Sequence, residues 1–192
     1  MITRIAIVRH GTTSWNKAGR LQGHSDIPLD EEGILQAQKL GLRLSGEHWD
    51  LLYSSHLLRA RQTAAIIGQE LGIHEVMEDN RLGEAGGGLI EGTTEEERVH
   101  KWGDNWKHLD LGMETNNDVV TRGMAFIEDL VAAHNGKHIL LVSHGSFIKQ
   151  MLAQLLPEMP PASAMKNTSI TRLQFTDNSW YCELFNCINH LE

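Results

Sequence analysis

The chain has only two cysteines in 192 residues, Cys182 and Cys187. So few allow one local disulfide at most and exclude a disulfide-built scaffold, and no cysteine spacing suggests zinc. Cationic residues are scarce as well. Seventeen Lys and Arg stand against 25 Asp and Glu, giving a formal net charge of −8. Nucleic-acid and membrane-surface binding rely on broad basic patches, so this balance argues against both. A phosphorylated ligand would have to be captured by a local cationic pocket. No apolar run approaches the roughly 20 residues of a membrane-spanning helix. No charged leader with an apolar core and cleavage site precedes the first strand, so the cytoplasm is the expected location.

What is present fits a globular protein: 41% of residues are hydrophobic and 22% charged. The length suits one domain, 1–192, with a proper core. Two stretches organise the rest. Ile5-Ala6-Ile7-Val8 runs into Arg9-His10-Gly11, and Leu140-Leu141-Val142 runs into Ser143-His144-Gly145. A short apolar run closed by a Gly turn reads as a buried strand. If the two strands are parallel neighbours, two imidazoles emerge at one sheet edge, where open α/β sheets bind ligands.

Between them the pattern alternates. A polar loop covers Gly11 to Pro28, and Asp30 caps a helix with stripe Ile34, Ala37, Gly41 and Leu44. Asp50 to Ser54 reads as a strand. Ser54 or Ser55 is the candidate cap of a helix with stripe Ala60, Ala64, Ile67 and Leu71, stopped by Gly72. Arg59 falls in its first turn, near free backbone amides that suit an anion. A weak strand covers His74 to Met77. Residues 78–113, with Gly86-Gly87-Gly88, Glu95-Glu96-Glu97, Trp102 and Trp106, read as a loop with short helices forming a lid. A helix follows from Asn117 to Ala133, its buried face Val119, Gly123, Phe126, Ile127 and Leu130, with Gly136 as its stop. The His138–Ser143 strand, a helix from Ser146 to Leu156, a loop with Pro157, Pro160 and Pro161, and a hairpin of 169–175 and 180–185 complete the chain. This alternation predicts a three-layer α/β/α sandwich, its central sheet mostly parallel with antiparallel C-terminal strands.

A neutral imidazole at a strand end is a competent nucleophile toward phosphorus. Attack requires the phosphoryl oxygens to be neutralised and held in line. Arg9 and Arg59 can each offer bidentate donors, and Asn16 with the backbone amides around Gly11 and Gly145 can add neutral ones.

Arg9-His10-Gly11, Trp15-Asn16, Leu21-Gln22-Gly23, Arg59-Ala60 with Thr63-Ala64, Glu84, and Ser143-His144-Gly145 occur in the order found in the histidine phosphatase (phosphoglycerate mutase-like) superfamily, which the chain resembles from Arg4 to about Leu156. The resemblance implies a metal-independent phosphomonoesterase without a cofactor, acting on a small phosphorylated metabolite. It implies phosphorylation of His10, a pocket of Arg9, Arg59 and His144, a rim including Thr12, Gln22 and Gly23, and Glu84 as general acid and then base. Gln22-Gly23-His24-Ser25-Asp26 through Pro28-Leu29 resembles the broad-specificity and α-ribazole phosphatase branches. Where the family often has Arg before the acid, this chain has Gly83, and its Gly-x-Trp-Glu-Gly is here Gly88-Leu89-Ile90-Glu91-Gly92. The small, glycine-rich Ala85 to Gly87 predicts a wider or more mobile pocket. The rival readings are a cofactor-dependent phosphoglycerate mutase, for which the region offers only Arg98, Lys101, Lys107 and Arg122, and a non-catalytic phosphate-binding module.

Overall fold

The apolar run that opens the chain becomes strand β1 (Thr3–Arg9) in the computed structural model, which describes residues 1–160 and 164–192. A one-turn helix α1 (Ser14–Lys17) and a longer helix α2 (Glu31–Leu44) follow, then β2 (Leu51–Ser54), α3 (Leu58–Leu71) and the two-residue β3 (Met77–Glu78). An irregular stretch carries three single turns of 3-10 helix and α4 (Glu95–Trp102). The chain closes with α5 (Asn116–Ala133), β4 (His138–Ser143), α6 (Gly145–Leu155), β5 (Ile170–Thr176) and β6 (Ser179–Cys187). Pro161 lies outside the described residues.

The six strands form one sheet in the order β3-β2-β4-β1-β5-β6. β1, β2, β3 and β4 run parallel, while β5 and β6 are antiparallel additions. Successive side chains of a strand point to opposite faces. Ile5, Ile7, Ile139 and Leu141 therefore pack under α5 and α6, with Phe126, Ile127, Phe147 and Met151. Ala6, Val8, Leu140 and Val142 pack under α2 and α3, with Leu40, Leu44, Ala64 and Ile67. Both faces are covered, which is why the strands read as unbroken apolar runs. The result is the expected three-layer sandwich. No helix among the described residues is long and apolar enough to cross a membrane.

Local signals mostly act where expected. Asp30 accepts the Gly33 amide at 2.8 Å, and Gly72 closes α3 at φ 69°. Asp177 and Asn178 both have positive φ, the geometry of a two-residue hairpin turn. Several details differ. Neither Ser54 nor Ser55 caps α3; its N-cap is Leu57, and the Leu58 amide is taken by Asp26 at 2.6 Å from another loop. Ile34 is 38% exposed, and Leu40 fills the stripe instead. α5 stops at His134, before Gly136. The polar loop contains α1, held by a reciprocal capping box of Thr13 and Asn16. Cys182 and Cys187 are both free thiols.

Asp50 secures the edge of the sheet where β4 begins. Its Oδ2 accepts the His138 amide at 2.8 Å, and its Oδ1 accepts from Lys137 Nζ at 2.9 Å. The His138 bond first, and Lys137 second, lower its pKa from 3.8 to about 2. A carboxylate depressed by folding contributes stability that is complete above its unfolded pKa and is lost as pH falls through the folded one. Allowing for partial solvent screening, the contribution is about 1–2 kcal/mol. Asp50→Asn is expected to lose that much stability in urea unfolding at pH 7, and its deficit should shrink as pH falls from 3.8 to 2.

Candidate active site

The register of the central strands sets the site. β1 and β4 pair in parallel with Arg9 opposite Ser143, so the next residues, His10 and His144, leave the sheet level with each other. The His10 amide donates to Ser143 O at 2.9 Å, and the two imidazole centroids lie 5.2 Å apart. The chain leaves β1 toward β2 and leaves β4 toward β5, on opposite sides, so this edge is a topological switch point. β2 ends beside β4 and turns into α3, which brings Arg59 to the same edge. A cavity of about 320 Å³ opens there, lined by Arg9, Asn16, Arg20, Leu21, Gln22, Gly23, Arg59, Glu84, Ala85, Gly86, Gly87, Ile90, Met113, Glu114 and Ser146.

His10 is buried, and its Nδ1 lies 2.7 Å from Gly11 O. A carbonyl can only accept, so Nδ1 carries the proton and Nε2 keeps its lone pair. Burial first, then Arg9 and Arg59, hold the His10 pKa well below 6.5. His144 is also pushed well below 6.5, by burial and then by Arg59. Its Nε2 meets Ser55 Oγ at 2.8 Å, and that hydroxyl already accepts the Leu57 amide. With Ser55 donating to Nε2, the hydroxyl hydrogen is satisfied and the His144 proton stands on Nδ1, which has no acceptor among the described residues.

The arginines are fixed by carbonyls. Arg9 Nη1 donates to Met165 O at 2.6 Å, and Arg59 donates to Ser25 O and Gly23 O, both at 2.8 Å. Arg59 has no exposed surface, and burial lowers its pKa to about 10, which still leaves it charged at neutral pH. Arg9 Nε, Arg59 Nε and His144 Nδ1 are buried without a partner among the described residues. Buried N–H groups of this kind are suited to oxyanions. Arg61, by contrast, pairs with Glu78 on the surface.

Glu84 reaches the cavity from the irregular segment. Its Oε1 accepts the Ala85 and Phe147 amides at 2.9 and 3.0 Å, and its Oε2 accepts Ser146 N at 3.2 Å. It thereby caps α6, whose own N-cap residue, His144, makes no side-chain cap. In place of an arginine before Glu84, Arg122 of α5 donates to the carbonyls of Arg81, Gly83 and Glu84 at 2.7–3.0 Å.

The remaining expected residues separate into two groups. Asn16 and Gln22 line the cavity, and their side-chain oxygens lie 3.1 and 3.0 Å from Thr13 Oγ1, which leaves each amide NH₂ free to donate. Gly145 sits against Arg9, where an added Cβ would stand 3.3 Å from Nε. Gly23, at φ +51°, has Glu91 where a Cβ would go. Thr12 turns away: its hydroxyl donates to Gln36 at 2.9 Å, and it does not line the cavity. The Gly11 amide is occupied by Thr63 Oγ1 at 3.0 Å. The glycine-rich stretch is closely packed rather than loose. A Cβ on Gly87 would meet Leu21 at 2.4 Å, and one on Gly88 would meet Leu111 O at 2.3 Å.

Two supporting residues carry little signal in the sequence. Asn167 Nδ2 donates to His10 O at 2.9 Å from the far end of the chain, with no local motif to mark it. Glu91 accepts from His24 N, Ser25 Oγ and Gly87 N, clamping the Gly23 loop to the irregular segment. Its place in the altered family motif was the available signal.

A family model, histidine phosphatase superfamily (branch 1), matches residues 5–188. The chain belongs to the histidine phosphatase superfamily. It is an enzyme of the phosphatase type. Uncharacterized phosphatase PhoE of Bacillus subtilis (strain 168) is 31% identical over 193 residues, covering 99% of this chain and 97% of that protein. Probable phosphoglycerate mutase GpmB of Yersinia pestis (strain Pestoides F) is 34% identical, covering 92% and 87%. The solved structure of Bacillus stearothermophilus YhfR superposes with a TM-score of 0.90 at 28% identity, covering 99% of this chain and 100% of that one.

In this histidine phosphatase the imidazole nitrogens are directly testable. Nitrogen-15 NMR is expected to show His10 protonated at Nδ1 only, with no titration as pH falls from 8 to its ordinary pKa of 6.5. A midpoint at or above 6.5 would contradict a neutral His10.

Proposed function

We propose that this enzyme hydrolyses phosphomonoesters through a phosphohistidine on His10, within a single domain, 1–192. The observation that carries the reading is the bare Nε2 of a neutral His10, level with His144 and flanked by two guanidiniums that no carboxylate pairs at contact distance among the described residues. In the first step Nε2 attacks phosphorus and the bond to the leaving alkoxide breaks. Glu84, protonated on the less engaged Oε2, gives its proton to that alkoxide. In the second step Glu84, now a carboxylate, takes a proton from water as its oxygen attacks phosphorus. The P–N bond breaks, phosphate leaves and His10 is restored.

Arg9, Arg59 and the Nδ1–H of His144 take the charge that develops on the phosphoryl oxygens. Guanidiniums thus do the work a magnesium ion does elsewhere, so the mechanism needs neither metal nor cofactor. Asn16 and Gln22 add neutral donors. Segment 78–113 acts as the lid, supplying Glu84, Ala85, Gly86, Gly87, Ile90 and Met113 to the cavity wall. The substrate is a small phosphorylated metabolite.

One observation ranks hydrolysis above the mutase reading, despite the relative named as a mutase. Arg98 is paired with Glu95 and stacked on Trp106, Lys101 lies over Trp102, Lys107 lies over Trp106, and Arg122 is paired with Glu114. None of the four lines the cavity, so none is placed to hold a second phosphate.

His10→Ala is expected to reduce turnover of p-nitrophenyl phosphate by at least about 10⁴-fold, since the nucleophile is lost, and acid-labile but base-stable label from ³²P-substrate should vanish with it. Glu84→Gln is expected to slow alkyl phosphates about 10²–10³-fold and p-nitrophenyl phosphate far less, because only the alkyl leaving group needs a proton. Equal losses would remove Glu84 from the acid role. Activity should persist after dialysis against EDTA; loss restored by a divalent ion would contradict the reading.

A further inference from the structure

The cavity has two electrically different ends. At the inner end Arg9 and Arg59 are held by carbonyls and keep their charge. At the outer end the charged side chains are closed into pairs. Glu114 is bound by Arg122 through Nε at 2.7 Å and Nη2 at 3.1 Å. Arg20 is the one cation among the described residues that lines the cavity outside the phosphoryl pocket, and Glu97 grips it with both oxygens, at 2.7 and 2.9 Å. Between the pairs the wall is apolar, made of Leu21, Ile90 and Met113, which join a small cluster with Trp106 and Leu111.

The Arg20–Glu97 pair is built into both segments it joins. Arg20 also donates to Gly92 O, and the Leu21 amide bonds Thr93 O while the Gly92 amide bonds Leu21 O. Glu97 is the third residue of α4, and its Oε2 closes the capping box by accepting Thr94 N at 2.9 Å. The carboxylate is therefore held where it meets the guanidinium. Such a half-exposed pair adds little to stability. Its effect is on the ligand: a guanidinium already forked to a carboxylate has lost the paired donors and the net charge that would attract a second anion.

We propose that Glu97 is a specificity-determining residue, which cancels Arg20 and restricts the enzyme to phosphomonoesters whose leaving group carries no second negative charge. The favoured class is the phosphate ester of an uncharged, partly apolar alcohol; bisphosphates and phospho-carboxylates are disfavoured. The inference rests on the phosphomonoesterase reading above and names its substrate class.

Glycerol 3-phosphate and 3-phosphoglycerate test it, because they differ only in carrying a hydroxymethyl group or a carboxylate. The parent enzyme is expected to show the higher kcat/KM on glycerol 3-phosphate. Glu97→Gln keeps the capping acceptor but removes the charge, so the helix should persist by circular dichroism. It is expected to raise kcat/KM for 3-phosphoglycerate about five- to tenfold, mainly through KM, as an added charge-assisted bond remote from the reacting atoms should. Glycerol 3-phosphate should change less than twofold. Adding Arg20→Met to Glu97→Gln should cancel the gain. The proposal is overturned if the parent prefers 3-phosphoglycerate, if Glu97→Gln moves both substrates alike or neither, or if the gain survives Arg20→Met. Absence of phosphate release from any ester in the parent would instead overturn the phosphomonoesterase reading, and this proposal with it.

Discussion

Two guanidinium groups stand in a buried pocket with carbonyl oxygens, not carboxylates, as their contacts among the described residues. Burying a cation without a counter-ion is costly, and proteins ordinarily meet the cost with an ion pair. Here Met165, Gly23 and Ser25 supply only partial charges to Arg9 and Arg59. The remaining field acts on what lies between the arginines. It suppresses protonation of His10 and His144, reinforcing burial, and so keeps His10 in the form that can attack phosphorus. The same uncompensated charge suits the pocket to an anion. A carboxylate paired with either arginine would weaken the pocket twice, by making the imidazole more basic and by occupying the anion's donors.

The placing of these groups follows from the sheet. Parallel pairing in register delivers His10 and His144 to one level, and the neighbouring β2 delivers Ser55 against His144 and Arg59 one helical turn later. Glu84 comes from outside the sheet and is positioned by α6. The helix offers unpaired amides at Ser146 and Phe147, and the carboxylate satisfies them. Ser143 adds a second tie, donating to Leu82 O at 2.7 Å just before the Glu84 turn. His10 and Glu84 are thus fixed to the same strand end, β4, by independent contacts.

This explains which parts could be read from the chain alone. The strands carrying the histidines are local signals, apolar runs closed by glycine, and both faces are covered, so the runs are unbroken. The face of α5 was legible for the same reason, since burial there follows helical period: Val119, Gly123, Phe126, Ile127 and Leu130 are all buried. What escaped was decided by distant partners. Asp26, not a neighbouring serine, takes the Leu58 amide, and Gln36 turns Thr12 away from the cavity. Asn167 reaches His10 across 157 positions of sequence. The glycines after Glu84 suggested looseness because composition does not show contact. Leu21 and the Leu111–Gly112 backbone press so closely on Gly87 and Gly88 that side chains there would collide.

That close packing bears on how one fold serves relatives bearing different names. The inner pocket is dictated by backbone register and by carbonyls, which are insensitive to side-chain identity. The outer wall is made of side chains, Leu21, Ile90, Met113 and two ion pairs, held on turns that the glycines allow to approach. Changing a residue there leaves the sheet and His10 untouched, yet it alters the charge and shape of the cavity wall. A phosphatase and a mutase can therefore share the pocket that binds the phosphoryl group and diverge in the wall beyond it. On the proposed phosphohistidine mechanism, binding energy from that wall governs which ester is held long enough for His10 to react, and whether water or a second hydroxyl then takes the phosphoryl group.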